Sequence, residues 1–287
     1  MYANRSTFKV AKMAEVLRVS ESGYHAWVKR QTRGQTPRER AKEELREKIM
    51  KIFIESKCIY GSRKIARVLR RKYKIKVNHK RVENIMREAG IKSKVVKKYK
   101  ATTNSKHNYP VSQDLLARNF ESDRPNQKMV SDITYIPTDE GWLYLASIMD
   151  LCGRKIVGMA MGARMTKELV ISALNDAVGR IGHVKGCILH SDRGSQYCSH
   201  SYQNLLKAYG FKSSMCRKGN CWDNSPMESF WGKLKQEWLN DQHFKTREEA
   251  RSAVFEYIWI YYNRNRIHAS NDYITPEEYY TSAALAA

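Results

Sequence analysis

The chain has 287 residues, of which 42% are hydrophobic, enough for one large domain or two to three small ones with an ordinary core. A formal net charge of +23 calls for a polyanionic partner. The charge is concentrated: residues 1–100 hold 30 Lys+Arg against 9 Asp+Glu (+21), residues 101–287 hold 22 against 20 (+2), and so basic a segment points to nucleic acid rather than to a solvated surface.

The N-terminus, MYANRSTFKV, is polar and lacks a signal-peptide core. Residues 8–30 predict a helix-turn-helix, with Val10, Met13, Ala14 and Leu17 on one face and Ser20 capping a second helix that carries Tyr24, Trp27 and Val28. After a linker at 31–38, a helix is expected from about Glu39 to Ser56, with Leu45, Ile49 and Ile52 inward. A second helix-turn-helix follows. Its first helix buries Ile65, Val68 and Leu69, and its second is capped by Asn78, buries Val82, Ile85 and Met86, and ends at Gly90. Lys80, Arg81, Asn84 and Arg87 fall on the outer face of that last helix, and Arg and Asn suit bidentate contacts to bases in a major groove. The polar stretch after it, with a short helical patch near Leu115–Phe120, reads as a connector.

The pattern then changes. Lys128–Thr138, Trp142–Leu151 and Arg154–Ala163 are β-rich runs joined by tight turns. A helix (Lys167–Arg180), a strand (Gly186–His190), a helix (Ser199–Tyr209), a strand (Phe211–Met215) and a further helix follow, and this order is that of an RNase H-like α/β core. A long helix at Arg247–Tyr262 and a Thr275-Pro276 helix start complete the chain. The resulting division is an N-terminal helix-turn-helix (1–38), a second all-α DNA-binding region (39–100), a connector (101–125), the catalytic core (126–240) and a helical extension (241–287). The apolar runs are too short to span a membrane. The six cysteines form no C-x-x-C or zinc spacing, and free thiols in a reducing cytosol fit them.

Three acids sit in unusual settings. Strand alternation puts Asp132 on the face of Val130, Thr134 and Ile136, where a carboxylate is costly unless paired or bound to a cation. Asp192 follows the apolar strand Cys187-Ile188-Leu189, at the strand end where α/β sites gather. Glu228 has a plainer reading, because Ser225-Pro226-Met227-Glu228 matches a capping box with Pro at the first helical position. Against it, Met227, Trp231, Leu234 and Trp238 form the apolar stripe, and Glu228 and Lys235, seven apart, share its border. Asp223 lies in the preceding loop and is the weaker candidate.

The order Asp132, Asp192, Glu228, with 35 residues between the last two, resembles the D-D-35-E arrangement of transposases and retroviral integrases. SDITYI, HSDRGSQY, SMCRKGNCWDNSPMESFWGKLKQE, YNRNRIH and YITPEEY resemble, in order, the second-frame (OrfB) transposase of the IS-three insertion-sequence family. YGSRKIARVL and RVENIMREAGI are similar to that family's helix-turn-helix. The chain departs at Met129, Met159, Cys152-Gly153 and Cys216, all changes of packing type. The resemblance implies a retroviral integrase-like core with Asp132, Asp192 and Glu228 as catalytic metal ligands. Asp223 and Asn224 would be supporting residues, and Lys235 would contact DNA. It implies Mg²⁺ as cofactor, as two ions with Mn²⁺ as a substitute, since carboxylate oxygens suit hard cations. It further implies strand cleavage and strand transfer on double-stranded DNA, at terminal inverted repeats and target, by water or a 3′-hydroxyl without a covalent intermediate. A homo-oligomer on DNA, a nucleoid-associated cytoplasmic location and a possible upstream-frame partner or frameshift fusion also follow from it. Two other readings share parts of the pattern: an RNase H-type nuclease without strand transfer, and a catalytically inactive DNA-binding regulator, which should lack an acid.

Overall fold

The computed structural model describes residues 1–94, 110–182, 184–217 and 221–286; residues 101–109 of the expected connector lie outside them. The chain opens with α1 (Val10–Val16) and α2 (Glu21–Thr32). Ser20 caps α2, its Oγ accepting from the Gly23 N–H at 3.2 Å. Leu17, expected inward, is 56% exposed, because α1 ends at Val16 and Leu17 falls past the helical stripe. Trp27 is also exposed, its ring edge-to-face with Tyr2.

α3 (Pro37–Glu55) starts at a capping box in which Thr36 and Glu39 satisfy each other's backbone N–H groups. Its Leu45, Ile49, Ile52 and Phe53 pack with Ile65 and Leu69 of α4 (Ser62–Lys72) and Val82, Ile85 and Met86 of α5 (His79–Glu88). Asn78 caps α5 as expected, accepting from the Lys80 N–H. The helical patch expected near Leu115–Phe120 is a turn instead. Asp114 Oδ1 accepts from the N–H groups of Leu116 and Ala117, and a side chain that bonds its own downstream backbone in this way competes with helix.

The sheet has five strands, β1 (Lys128–Thr138), β2 (Gly141–Asp150), β3 (Lys155–Gly162), β4 (Ile188–Ser191) and β5 (Lys212–Met215). Their spatial order is β3-β2-β1-β4-β5. β1, β2 and β3 form an antiparallel meander, and β4 and β5 join parallel on the far side of β1. This is the RNase H-like arrangement that the element order predicts. α6 (Lys167–Ile181), the short α7 (Ser195–Cys198) and α8 (His200–Ala208) cover one face, packing Leu174, Tyr197 and Tyr202 against Met129, Ile148 and Val157. α9 (Ser225–Leu234) and α10 (Arg247–Phe255) cover the other, with Phe230, Trp231 and Val254 against Val130, Ile136 and Leu145. α6 lies so close to β3 that a Cβ on Gly158 would stand 2.5 Å from Ala177 Cβ.

Two helices change pitch. α9 runs into a π-helical turn, Lys235–Leu239, closed by the Asn240 N–H on the Lys235 carbonyl, and α10 runs into a second one, Glu256–Tyr262. The long helix expected at 247–262 is thus continuous but mixed. α11 (Pro276–Leu285) begins at a Thr275/Glu278 capping box. The residues around Asn265 meet the N-terminal helices directly: Tyr60 OH donates to the Asn265 carbonyl and accepts from the Ile267 N–H, both at 3.0 Å. No helix among the described residues is long and apolar enough to cross a membrane.

Candidate active site

Parallel pairing of β1 with β4 aligns Met129 with Leu189 and Val130 with His190. Two residues further, on neighbouring strands about 4.8 Å apart, the same register sets Asp192, just past the end of β4, level with Asp132 in the middle of β1. Alternation along β1 turns Asp132 to the face of Val130, Thr134 and Ile136, as the sequence predicts, and that face carries α9. Trp231 of α9 therefore donates its indole Nε1–H to Asp132 Oδ2 at 2.9 Å, while the Ile133 N–H donates to Oδ1. Burial, and then the Asp192 charge, pushes the Asp132 carboxyl well above the usual carboxylate range, with Glu228 acting in the same direction. Asp192 Oδ1 accepts from the Gly194 N–H at 2.8 Å, which fixes the turn after β4.

Glu228 is not engaged in a cap. Asn224 is the N-cap of α9, so Ser225 is already helical, and no side-chain capping bond forms. Glu228 is half-buried, and burial pushes its carboxyl up. The three acids thus come together from β1, the β4 end and the first turns of α9, close enough for Asp132 to feel both others. Among the described residues, no three carboxylate, imidazole or thiol groups are drawn to metal-ligating spacing.

Asp223 and Asn224 are buried side by side ahead of α9. Asp223 accepts from the Arg217 N–H, Nε and Nη2 and from Arg118 Nε at 2.8–3.0 Å. Those guanidinium bonds, Arg217 first, hold its carboxyl far below the usual range. It ties the loop after β5 to the start of α9. Asn224 Nδ2 donates to the Ser131 carbonyl of β1 at 3.1 Å, beside Asp132, and its Oδ1 is buried without a partner among the described residues. Lys235 is buried rather than solvated. Its ammonium lies 4.9 Å from the Tyr135 ring centroid, burial lowers it to about 8, and Asp132 is near enough to oppose that.

Lys80, Arg81, Asn84 and Arg87 all lie exposed on α5, away from the acids, with Arg87 bonded to Asn84 Oδ1. A second basic surface escaped the sequence reading. Arg63, Arg67 and Arg70 of α4, with Lys76, His79 and Tyr273, line a groove of about 580 Å³. Their i, i+4, i+7 spacing is the signal that marks it. Trp231 was visible only as a core residue, and nothing local links Arg118 to Asp223.

An RNase H-like sheet with acids brought together from β1, the end of β4 and α9 is the frame of a polynucleotidyl transferase. Residues 40–99 match an HTH-like domain family, and residues 122–221 and 228–283 match two integrase core domain families. The insertion element IS600 uncharacterized 31 kDa protein of Shigella sonnei is 44% identical over 276 residues, 95% of this chain and 100% of that one. The transposase InsF for insertion sequence IS3A of Escherichia coli (strain K12) is 39% identical over 276 residues, 96% of this chain and 95% of that one. The chain belongs to the IS3 family of insertion-sequence transposases and is a DNA transposase. Among solved structures, the simian T-cell lymphotropic virus intasome in complex with PP2A regulatory subunit B56 gamma is 16% identical at a TM-score of 0.48, covering 71% of this chain and 67% of that one. The HTLV-2 integrase catalytic core domain in complex with magnesium (dimeric form) is 18% identical at a TM-score of 0.42, covering 55% and 97%.

Proposed function

We propose that this chain cuts and joins DNA strands at the ends of its insertion sequence through Asp132, Asp192 and Glu228. The observation that carries the reading is the gathering of these acids from three elements, with Glu228 released from the capping role that its local sequence offers. The donor set fits divalent metal. Three carboxylates suit a hard cation, and Asp132, raised by burial and by Asp192, is a site where added positive charge would restore the ionised form. Both Asp132 oxygens accept hydrogen bonds, but each keeps a second lone pair. Asp132 would be shared between two ions, with Asp192 and Glu228 each completing one. When bound, two Mg²⁺ ions, or Mn²⁺ in their place, relieve charge at phosphorus and activate the oxygen nucleophile.

The protein's own part is positioning. Trp231 and the Ile133 N–H orient Asp132, Gly194 orients Asp192, and Asn224 pins the start of α9 to β1. Asp223 locks the adjoining loop through Arg217 and Arg118. Lys235 serves the backbone or terminal base of the element end. The exposed side chains Lys80, Arg81, Asn84 and Arg87 read duplex DNA, with residues 39–100 as the principal DNA-binding unit, 126–240 as the catalytic unit and 241–287 as its helical extension. Water is the nucleophile in cleavage and a DNA 3′-hydroxyl in transfer, with no covalent enzyme–DNA intermediate. The chain works as a homo-oligomer on DNA at the nucleoid.

The test is incubation of the full chain with element-end duplex and Mg²⁺ or Mn²⁺, scoring cleaved and joined products. Asp132→Asn, Asp192→Asn and Glu228→Gln should each lose both products while still binding ends. Cleavage without joining in the parent chain would identify a nuclease, and full activity in Glu228→Gln would remove Glu228 from the site.

A further inference from the structure

A second cluster of charge lies on the side of α9 away from the acids. Lys233 follows Glu228 by five residues, so it leaves the helix about 140° around and roughly 7.5 Å further along. Its Nζ contacts Ser229 Oγ at 2.8 Å and His268 Nε2 at 3.4 Å. Around it stand Lys64 of α4, Arg154 in the β2–β3 turn, and Arg266 and His268 of the NRNRIH stretch: Lys233 feels Arg266 and Arg154, Lys64 feels Arg266 and Lys233, and His268 feels all four. Four segments remote in sequence therefore bring their basic groups to one place.

The cluster is short of negative charge. The carboxylate within reach of Lys64 and Lys233 is Glu237, and it is already held by Arg266 through two hydrogen bonds, Nε to Oε2 at 2.7 Å and Nη2 to Oε1, and by Tyr257 OH. Lys64 makes no ion pair among the described residues; its ammonium lies 4.8 Å from the Tyr60 ring centroid. Burial and the neighbouring cations lower Lys64 to about 7 and Lys233 to about 8. Crowding partly buried ammonium groups without a free counter-anion is unfavourable, and an anion with several acceptor oxygens would reverse that cost. Lys64, Lys233 and Arg154 are only half-buried, so the cluster opens to solvent, whereas Arg266 and His268 form its floor.

We propose that Lys64, Lys233 and Arg154 form a notch, floored by Arg266 and His268, that grips one backbone phosphate of duplex DNA lying between the helix-turn-helix region and the catalytic sheet. The proposal rests on the DNA-processing reading above but uses none of its acids. A phosphodiester suits the notch because it carries the missing charge and can accept from donors on three sides. A ligand held there joins α4, which belongs to the DNA-binding unit, to α9, which carries Glu228. One phosphate thereby ties recognition to the position of the catalytic helix.

The experiment uses the full chain and measures affinity for element-end duplex as a function of salt. Loss of one phosphate contact lowers the log–log slope by about 0.9. The double variant Lys64→Met/Lys233→Met should thus lose about 3.5-fold less affinity than the parent between 50 and 200 mM salt. Lys64→Arg, which keeps the charge, should keep the parent slope. Duplexes carrying a single neutral methylphosphonate locate the contact: one position should weaken the parent and leave the double variant unaffected. An unchanged slope together with no such position overturns the proposal. So does a melting temperature raised by inorganic phosphate with no methylphosphonate effect, since the notch would then take free phosphate rather than DNA. A lower melting temperature in the Met variants at an unchanged slope also overturns it, by assigning the lysines to packing. Glu228→Gln should bind with the parent slope, so a failed cleavage assay and a failed notch are told apart.

Discussion

Glu237→Ala should cost about 4 kcal/mol of folding stability, and the structure shows why. The Glu237 and Arg266 side chains are 12% and 6% exposed. Removing one partner of a buried pair strands the other charge, which costs roughly 3–5 kcal/mol. Tyr257 OH, which donates to Glu237 Oε2 at 3.0 Å, loses its acceptor in the same change, and the two effects overlap rather than add. Lys64 and Lys233 stand nearby and worsen the imbalance. For a chain of this size, about 4 kcal/mol corresponds to a fall in melting temperature of roughly 8–15 °C. Calorimetry or urea unfolding followed by circular dichroism measures it, with Glu15→Ala as the control. Glu15 pairs with Lys12 at 71% and 72% exposure and should change stability by less than about 0.5 kcal/mol. The pH dependence has a definite sign. The Glu237 carboxyl is lowered from 4.5, so its stabilising effect is complete above that value and is lost as pH falls below it. The gap between parent and variant should therefore be constant near neutrality and shrink below about pH 4.5. A loss under about 1 kcal/mol at neutral pH would refute the claim that this pair holds the C-terminal segment to the π-helical turn.

Gly158→Ala should lose about 1–3 kcal/mol in the same melts, because the new methyl would meet Ala177 Cβ and the Ala173 carbonyl at 2.5–2.6 Å; an unchanged melting temperature would show that α6 can move off β3. Thr275→Ala and Thr36→Ala should each cost about 1 kcal/mol through loss of a real cap, whereas Ser225→Ala should be near neutral, and an equal loss at Ser225 would restore the capping reading of Glu228. Lys64, lowered from 10.5 to about 7, binds fewer protons in the folded chain than in the unfolded one, so stability should rise between about pH 7 and 10. In Lys64→Met that rise should be smaller, as followed by melting temperature across the range, and an identical profile would place the lysine in solvent.

Much of this protein is set by local pattern. The strand limits of β1, the stripe through Met227, Trp231, Leu234 and Trp238 and the caps at Ser20 and Asn78 all follow from periodicity and short-range hydrogen bonding, which act within a few residues. Local pattern misleads where two local solutions compete. Thr36, Thr246, Thr275 and Ser225 each begin the same S/T-x-x-E motif, yet only the first three form the box. At the fourth, Asn224 is bonded to the Ser131 carbonyl of β1 and takes the cap position, so the helix starts one residue early and Glu228 is left out of the cap, near enough to act on Asp132. Near Leu115 the side chain of Asp114 captures the backbone and a turn replaces the expected helix. The Arg118–Asp223 clamp, the Glu237–Arg266 pair and the notch of Lys64, Arg154, Lys233, Arg266 and His268 join residues about 30 to 200 positions apart. Only the packing of the sheet against α9, and of α4 against the segment after Tyr262, brings those charges together, because burial and proximity between distant segments are properties of the closed core and leave no periodic trace along the chain.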